Sequence, residues 1–345
     1  MVFWCFRVLV FSAANTPKHE NPKTPKHKHN MIPNERTIQE AHDRIRPFIH
    51  QTPVLTCSTI NQMAGAELFF KCENFQKIGA FKIRGGMNAV LSLPESKQKL
   101  GIATHSSGNH AQAIAYAARQ VGTKAYIVMP RTSPKVKIEA VQGYGAEIFF
   151  CEPTLEAREA TLKSILERTG AEFVHPFDDV RVVAGQATCA KELIAAIPGL
   201  DVLMAPVGGG GLLSGTALST HYFQPGAFVI GGEPEGAADA VLSFRSGKVE
   251  KAPYIDSIAD GLLTNLSPLT LGIIREHVRD ILLVSEAEIK ATLRLVYERM
   301  KIVIEPSCAV PLAALLRNKA DFKGKRVGII LSGGNVDLGK FSEWF

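Results

Sequence analysis

The sequence lacks any cysteine pattern that would indicate a metal centre or a disulfide framework. Its six cysteines are scattered, and no two have the C-x-x-C spacing of zinc sites and redox motifs. Most lie in apolar stretches such as FFKCENF and IFFCEP. We therefore expect buried, reduced thiols, which favours a cytoplasmic protein over a secreted one.

A long hydrophobic run is also missing. The first eleven residues, MVFWCFRVLVF, are apolar but too short to cross a bilayer, and Arg7 interrupts them. They are not preceded by the positive region of a secretory signal. The next stretch is rich in proline, lysine and histidine, so residues 1–30 are predicted to form a disordered tail. No membrane partner is expected.

Strong charge of one sign is absent from the rest of the chain. The formal net charge is +6, but the tail holds Arg7 and four lysines against one glutamate. The remainder is nearly neutral and has no basic patch, so no nucleic-acid partner is expected. The length of 345 residues and the hydrophobic content of 46% are typical of a globular protein with a large core and two domains.

Short buried strands alternate with amphipathic segments along the chain. The strand-like runs are ELFFKCE, GIATHS, KAYIVMP, AEIFFCE, AEFVHP, DVLMAPVG, FVIGGEP, DILLVS and RVGIILSGG. Thr37 with Glu40, and Ser285 with Glu288, have the spacing of helix-capping boxes. This alternation predicts an α/β protein with parallel sheets covered by helices on both faces.

Four loops follow predicted strands, at the sheet edge where α/β proteins bind ligands. They are THSSGNH (104–110), PVGGGGLLSG (206–215), GGEPEGAADA (231–240) and LSGGNVD (331–337). In the second, successive glycines leave backbone amides bare before a helix, which suits a phosphate. The loop lacks the lysine of a P-loop and the spacing of a dinucleotide fingerprint, so a phosphate monoester fits better. A tight turn without a ligand remains an alternative.

Lys82 lies in GAFKIRGG, between an aromatic residue and small residues. A lysine amine that loses its solvation deprotonates more easily and can attack an aldehyde. Pyridoxal 5′-phosphate (PLP) is both an aldehyde and a phosphate monoester, so it would satisfy the lysine and the glycine loop together. In the loop SSGNH, backbone amides could enclose a carboxylate, although a capped turn is the alternative. Ser332 could hydrogen-bond a ring nitrogen.

Six motifs, in their order along the chain, resemble the fold-type II PLP enzymes, in particular serine racemase and catabolic threonine (serine) dehydratase. They are KIGAFKIRGGMNAV, THSSGNHAQA, APVGGGGLLSG, IADG, IEPS and LSGGNVDL. The resemblance runs from about Ile38 to the C-terminus. It implies the tryptophan synthase β-like architecture with two parallel-sheet domains. The large PLP-binding domain would comprise 31–96 and 177–345, the small substrate-closing domain 97–176, and the protein would be a homodimer.

The resemblance also implies roles for individual residues. Lys82 would be the Schiff-base lysine, Phe81 would pack against the cofactor ring, Asn109 would bond its hydroxyl and Ser332 its nitrogen. The phosphate would be held by Gly208, Gly209, Gly210, Gly211 and Leu212. The substrate would be bound by Ser106, Ser107, Asn109, His110, Arg158 and Asp260. A divalent cation, Mg²⁺, Ca²⁺ or Mn²⁺, would be held by Glu233, the Ala237 carbonyl and Asp239.

The activity implied is deamination of L-threonine and L-serine to a 2-oxo acid and ammonia, with Lys82 removing the α-proton. Ser107 would be a proton donor on the opposite face, which favours additional serine racemisation. Serine racemase or 3-hydroxyaspartate dehydratase as the main activity, a PLP-binding regulatory protein and an NAD-dependent oxidoreductase remain alternatives. Two residues depart from the family pattern: Ala80 stands in place of a serine, and Ala111 in place of a glycine.

Overall fold

A computed structural model describes residues 32–133, 135–341 and 343–345. The predicted disordered tail, residues 1–30, lies outside the described residues. Ile32–Phe345 form one compact unit. Among the helices of the described part, none combines the length and the apolar character that a membrane crossing needs.

The strands of the described residues form two sheets. They are β1 (Val54–Leu55), β2 (Glu67–Cys72), β3 (Ile102–His105), β4 (Ala125–Pro130), β5 (Glu147–Cys151), β6 (Glu172–Phe173), β7 (Val202–Pro206), β8 (Phe228–Pro234), β9 (Asp280–Val284) and β10 (Arg326–Leu331). The larger sheet has the order β1-β2-β10-β7-β8-β9, and the smaller has the order β5-β4-β3-β6. Only β1 and β2 pair antiparallel among the described strands. The predicted α/β fold with parallel sheets is confirmed.

Helices fill most connections between strands. They are α1 (Glu35–Ile45), α2 (Ser58–Ala64), α3 (Lys82–Leu91), α4 (Glu95–Gln98), α5 (Asn109–Val121), α6 (Lys135–Gly143), α7 (Leu155–Thr169), α8 (Val180–Ala196), α9 (Gly211–Phe223), α10 (Asp239–Ser246), α11 (Pro268–His277), α12 (Glu286–Met300), α13 (Pro306–Arg317), α14 (Lys319–Phe322) and α15 (Leu338–Phe341). The predicted capping box of Ser285 and Glu288 begins α12.

The predicted cap of α1 is wrong. Asn34 is the capping residue, its side chain accepts the Thr37 amide, and the Thr37 hydroxyl accepts the Asn34 amide. Thr37 therefore occupies the third helical position instead of the cap. The helix begins earlier than predicted because Asn34 caps at least as well as threonine does.

The central strands are buried on both faces. In β7, Val202 and Met204 pack into one hydrophobic cluster, while Leu203 and Ala205 pack into another on the opposite side of the sheet. This explains why the predicted strands are continuous apolar runs rather than alternating ones. It also leaves only the strand ends and the loops after them for polar chemistry.

The two sheets are formed by different parts of the chain. All strands of the smaller sheet lie within 97–176, and those of the larger sheet lie in 31–96 and 177–345. The domain boundaries themselves stay a proposal, because Ile32–Phe345 form a single compact unit.

Candidate active site

Lys82 is the first residue of α3, which begins directly after the capping residue Phe81. Its amine lies 3.3 Å from the Pro176 carbonyl and 5.2 Å from the centre of the Phe81 ring. Loss of solvation lowers the pKa of Lys82 to about 8, although the charge of Glu305 acts in the opposite direction. Roughly a tenth of the amine is therefore neutral at pH 7, far more than for an exposed lysine, and the neutral form is the nucleophile or base.

The glycine loop lies between β7 and α9, as predicted. Gly208, Gly209 and Gly210 are buried, and Gly210 has a φ of +85° that favours glycine. A Cβ atom on Gly208 would lie 2.9 Å from the Leu262 Cα, and one on Gly209 would overlap the Phe177 ring. Only glycine fits this path of the backbone, since any side chain would collide with its surroundings.

This loop has the donors that a phosphate needs. Within the described residues, no acceptor pairs with the amides of Gly208, Gly209, Gly210, Gly211 or Leu212. Buried amides without partners cost free energy, and these lie at the positive N-terminal end of the 13-residue helix α9. The donor set and the bare backbone therefore fit a phosphate group, and the lysine amine fits an aldehyde.

Asn109 is the first residue of α5 and contacts two other loops. Its Nδ2 donates to both carboxylate oxygens of Glu305, at 3.2 and 3.1 Å. Its Oδ1 accepts from Asn335 Nδ2 at 2.8 Å. Burial raises the pKa of Glu305 to about 7, against the hydrogen bond from Asn109 that lowers it. Asn109 is therefore held in one orientation between a carboxyl group and an amide.

Ser332 follows β10 and is buried. Its carbonyl accepts the Phe81 amide at 3.0 Å, so the segment that carries Lys82 is bound directly to the segment that carries Ser332. The Ser332 hydroxyl lies 3.5 Å from the buried thiol of Cys308. The structure thus places Ser332 in contact with Phe81, the neighbour of Lys82 in the chain.

The SSGNH loop connects β3 to α5. The Ser106 amide donates to the Val128 carbonyl, its hydroxyl accepts the Gly108 amide, and Ser107 is half-buried. His110 is buried, and its Nε2 lies 3.2 Å from the Val174 carbonyl. Burial and the nearby Lys82 hold the pKa of His110 well below its usual range, so its ring is neutral. The imidazole of His110 is directed toward the backbone that follows β6.

Arg158 and Asp260 form no hydrogen bond with the predicted substrate loop among the described residues. Arg158, in α7, donates from Nε to the Thr154 carbonyl, and its charge reaches His105 at the end of β3. Asp260 forms an ion pair with Lys137 of α6 at 2.6 Å, and its side chain is 57% exposed. For these two residues, the prediction of substrate binding stays a prediction.

The predicted cation loop brings two buried carboxyl groups together. Glu233, near the end of β8, accepts the amides of Ala240 and Val241 at 2.6 and 2.9 Å. Asp239 begins α10, and its Oδ2 has no partner among the described groups. Burial raises the pKa of Glu233 to about 8 and that of Asp239 to about 7. Because ionised carboxyl groups are costly to bury without a partner, this pair fits a cation that would neutralise its charge.

A third acidic or imidazole ligand is missing from that loop. The described residues contain no group of three or more His, Cys, Asp and Glu side chains able to hold a metal ion. The third predicted ligand is the carbonyl of Ala237, which is buried in the short 3-10 turn Glu235–Ala237. Glu235 does not join the pair, because it forms an ion pair with Arg317 at 2.7 Å.

Several residues of the site were not predicted. Glu305, Asn335, Pro176 and Phe177 all contact predicted site residues. Glu305 lies within the motif IEPS. There, a carboxyl group directly before a proline could have indicated a site residue. Phe177 had no such signal, because a phenylalanine near a strand end is typical of ordinary core.

The family model "Pyridoxal-phosphate dependent enzyme" matches residues 45–333 of this chain. The match includes every residue predicted for the cofactor, the substrate and the cation.

Several individual proteins are similar to this chain over most of their length. The β-hydroxyaspartate dehydratase of Paracoccus denitrificans (strain Pd 1222) is 48% identical over 90% of this chain and 98% of its own. The serine racemase of Dictyostelium discoideum is 50% identical over 89% of this chain and 96% of its own. The crystal structure of a threonine deaminase from T.th. is 39% identical and superposes with a TM-score of 0.84, covering 89% of this chain and 99% of its own.

Proposed function

The chain belongs to the fold-type II pyridoxal-phosphate-dependent enzymes, and from that premise we propose that it deaminates L-threonine and L-serine to a 2-oxo acid and ammonia. The observation that supports this proposal is the half-buried Lys82, whose amine has a pKa of about 8 and lies 3.3 Å from the Pro176 carbonyl. The next residue, Phe177, packs against Gly209 in the glycine loop, whose amides are unpaired among the described residues. An amine of that kind can both hold an aldehyde cofactor and remove a proton from carbon.

Several groups of this chain would hold PLP. Lys82 would bind its aldehyde, the amides of Gly208–Leu212 its phosphate, Asn109 its ring oxygen and Ser332 its ring nitrogen. Phe81, which is buried beside the amine, would contact the ring. When bound, PLP supplies an electron-withdrawing ring that acidifies the α-carbon of an attached amino acid.

The proton transfers would be made by Lys82. With substrate and cofactor bound, Lys82 Nζ would take the α-proton of the substrate. The Cα–H electron pair then forms a Cα–Cβ double bond, and the β-hydroxyl leaves with a proton as water. A second water completes the release of ammonia and 2-oxo acid. The neutral hydroxyl of Ser332 favours elimination over transamination, because it does not keep the ring nitrogen charged as a carboxylate would.

Serine racemisation is a second candidate activity, and Ser107 favours it. Its half-buried hydroxyl lies in the loop that begins α5, between Ser106 and the cofactor-binding residue Asn109. If Ser107 delivers a proton to the α-carbon from the face opposite Lys82, the configuration of serine is inverted. A dehydratase and a racemase share the first proton transfer, so the two activities compete at one site.

The substrate carboxylate would be bound by the SSGNH loop, from Ser106 to His110. Arg158 and Asp260 would contribute at its edge. The positive charge of Arg158 beside His105 suits a substrate with a second carboxylate, such as 3-hydroxyaspartate. This makes 3-hydroxyaspartate dehydratase the alternative main activity.

We also propose a divalent cation site at Glu233, the Ala237 carbonyl and Asp239. Oxygen ligands alone suit Mg²⁺, Ca²⁺ or Mn²⁺. Two buried carboxyl groups with raised pKa values, one with an unpaired oxygen, support the site.

The assembly proposed is a cytoplasmic homodimer in which 97–176 closes over the substrate. Exposed apolar side chains support an interface, since Phe75 and Val303 are 44% and 49% exposed. The ion pair of Lys137 with Asp260 joins the two parts of the chain and supports closure.

The free cysteines Cys57, Cys72, Cys151, Cys189 and Cys308 support a reducing compartment.

Incubation of the PLP-loaded protein with L-serine, L-threonine and L-threo-3-hydroxyaspartate tests the proposal. Both 2-oxo acid and D-amino acid should be followed, because their ratio separates dehydratase from racemase. The Lys82→Ala variant should lose the visible absorption band of the lysine-bound cofactor and all turnover. A wild-type protein that has no such band and converts none of the three substrates would contradict the proposal.

A further inference from the structure

Two segments of the site run side by side. The Phe81 amide donates to the Ser332 carbonyl at 3.0 Å, and the Gly334 amide donates to the Gly79 carbonyl at 2.9 Å. Between these bonds, Ala80 and Gly333 form an antiparallel bridge. The segments that carry Lys82 and Ser332 are therefore held in one fixed register.

Asn335 extends this pairing to a third segment. Its Nδ2 donates to the Ile78 carbonyl at 2.8 Å and to Asn109 Oδ1 at 2.8 Å. An amide nitrogen has two hydrogens, and these two acceptors use both. Asn335 thus joins the lysine segment, the serine segment and the first turn of α5.

The chain of hydrogen bonds has only one direction. A main-chain carbonyl cannot donate, so the Ile78 carbonyl requires the NH₂ side of Asn335. Asn335 therefore requires the oxygen side of Asn109, and the NH₂ side of Asn109 faces Glu305. Since both Glu305 oxygens belong to one carboxyl group, a single N–H can be shared between them, which leaves the second N–H for another acceptor. Reversal of the Asn109 amide would set two NH₂ groups against each other.

The turn that presents the Ile78 carbonyl is strained. Ile78 has a φ of +59°, which is unfavourable for a β-branched residue, and Gly79 follows with a φ of +69°. Such a conformation is energetically unfavourable and persists where the surroundings require it. A Cβ atom on Gly79 would lie 2.6 Å from Asn335 Oδ1, so the close approach of Asn335 also depends on this turn.

We propose that Asn335 is a positioning residue that turns the Asn109 amide so that an N–H group, and not the carbonyl, faces the ring oxygen of the cofactor. The inference rests on the proposed function, because it takes Asn109 as the contact of that oxygen. An N–H donor stabilises the ionised ring oxygen, whereas an amide carbonyl repels it. Asn335 therefore controls the ionisation of the cofactor bound to Lys82 without touching it.

The variant Asn335→Asp tests this with almost no change in size. A carboxylate cannot donate to the Ile78 carbonyl, and it accepts from Asn109 Nδ2, which reverses the Asn109 amide. The visible absorption band of the PLP-loaded protein should give way to a near-ultraviolet band, with its pH midpoint shifted by about one unit or more. The kcat should fall about 10- to 100-fold, with a much smaller change in KM.

Asn74→Asp is the matched control. Asn74 also donates from Nδ2 to a main-chain carbonyl, that of Val303 at 3.0 Å, and it lies close in sequence to the lysine segment. It has no bond to Asn109, so its spectrum and kcat should remain those of the wild type. An equal spectral shift in both variants overturns the inference, because the effect would then be general destabilisation.

Asn335→Ala provides a second measurement if the aspartate variant does not fold. It removes both donors without adding a charge, so a smaller shift in the same direction is expected. A wild-type spectrum in the folded Asp or Ala variant overturns the role of Asn335 and leaves the proposed function intact. Absence of the visible band from the wild-type protein contradicts the proposed function itself.

Discussion

Lys82 is the residue on which the proposed chemistry depends, and its environment has a measurable consequence. Loss of solvation lowers the pKa of its amine to about 8. Only the neutral amine attacks an aldehyde, so the rate of PLP attachment to the cofactor-free protein should rise with pH up to about 8 and then level off. Stopped-flow absorbance across a pH series measures this rate. A rate that still rises steeply near about pH 10, as for an exposed lysine, would contradict the burial argument.

Ser107 gives a prediction that concerns the partition of products. Ser107→Ala removes a hydroxyl but leaves Lys82 and the rest of the loop in place. Racemisation of L-serine should fall by about 100-fold, while dehydration should fall by less than about tenfold, because only racemisation needs the second proton donor. Parallel assays of D-serine and pyruvate in one sample provide an internal control. Equal losses of both products would reject two separate proton-transfer groups.

The residue types in the sequence predicted the groups proposed for the chemistry better than the residues that hold those groups in position. Lys82 and the glycine loop stand out because their chemistry is unusual where they occur in the sequence. Glu305 and Asn335 do not, because each meets Asn109 only after folding, 196 and 226 positions along the chain. A hydrogen bond of that kind has no local pattern, so single-sequence reasoning could not find it.

At the scale of elements, a buried ion cluster fastens α3 to β2 and α8. The Arg84 guanidinium donates to Glu73 and Glu192 at 2.6–2.8 Å and to Thr188 at 3.1 Å, and Lys71 also donates to Glu192. Arg84 and Glu73 are fully buried. Since Arg84 lies two residues after Lys82, the cluster fixes the helical turn that carries the amine.

Arg84→Met should therefore be strongly destabilising. It keeps the length of the side chain but leaves two buried carboxylates without their main partner, which costs about 3–5 kcal/mol of unfolding free energy. Denaturant titration measures the loss. Arg36→Met is the control, because Arg36 forms an exposed ion pair and should change the stability little. Similar losses in both variants would mean that burial of the cluster is unimportant.

The same cluster predicts sensitivity to acid. Burial alone would raise the pKa of Glu192, but the hydrogen bonds and charges of Arg84 and Lys71 lower it to about 2. The folded state thus binds fewer protons at this group than the unfolded state does. Its contribution to stability is present above the ordinary pKa of 4.5 and is lost as the pH falls toward about 2.

The turn between β8 and α10 predicts a response to cations. Burial raises the pKa of Glu233 to about 8 and that of Asp239 to about 7, so below those pH values a divalent cation must displace protons in order to bind. Mg²⁺, Ca²⁺ or Mn²⁺ should therefore raise the Tm, and more so at about pH 9 than at about pH 6. Differential scanning calorimetry with and without chelator measures the effect.

Glu233→Gln should remove this response, whereas Glu235→Gln should keep it. Glu235 lies in the same turn but forms its ion pair with Arg317, so its loss changes the local charge without removing a proposed ligand. Retention of the full cation response in Glu233→Gln would exclude this site.

At the scale of the molecule, the alternation of strands and helices predicted parallel sheets covered by helices, but not the order of the strands within each sheet. Parallel pairing and burial on both faces follow from continuous apolar runs. The order β1-β2-β10-β7-β8-β9 does not, because the β2–β10 pair joins residues more than 250 positions apart. The antiparallel strand β1 has only two residues, which is too short for any periodicity to be read.

The compact unit Ile32–Phe345 should be sufficient for folding and for the proposed activity. Every residue proposed for the cofactor, the substrate or the cation lies between Phe81 and Ser332, and the first described helix, α1, already belongs to the core through Ile38 and Ile45. A protein that starts at Met31 should therefore have the Tm, the kcat and, by light scattering, the oligomeric state of the full chain. A protein that starts at Arg46 should lose several kcal/mol of stability, since it lacks two fully buried isoleucines worth about 1.5–3 kcal/mol each. If the shorter truncation already lost stability or activity to the same extent, residues 1–30 would have to take part in the fold or the site, and the self-sufficiency of Ile32–Phe345 would be wrong.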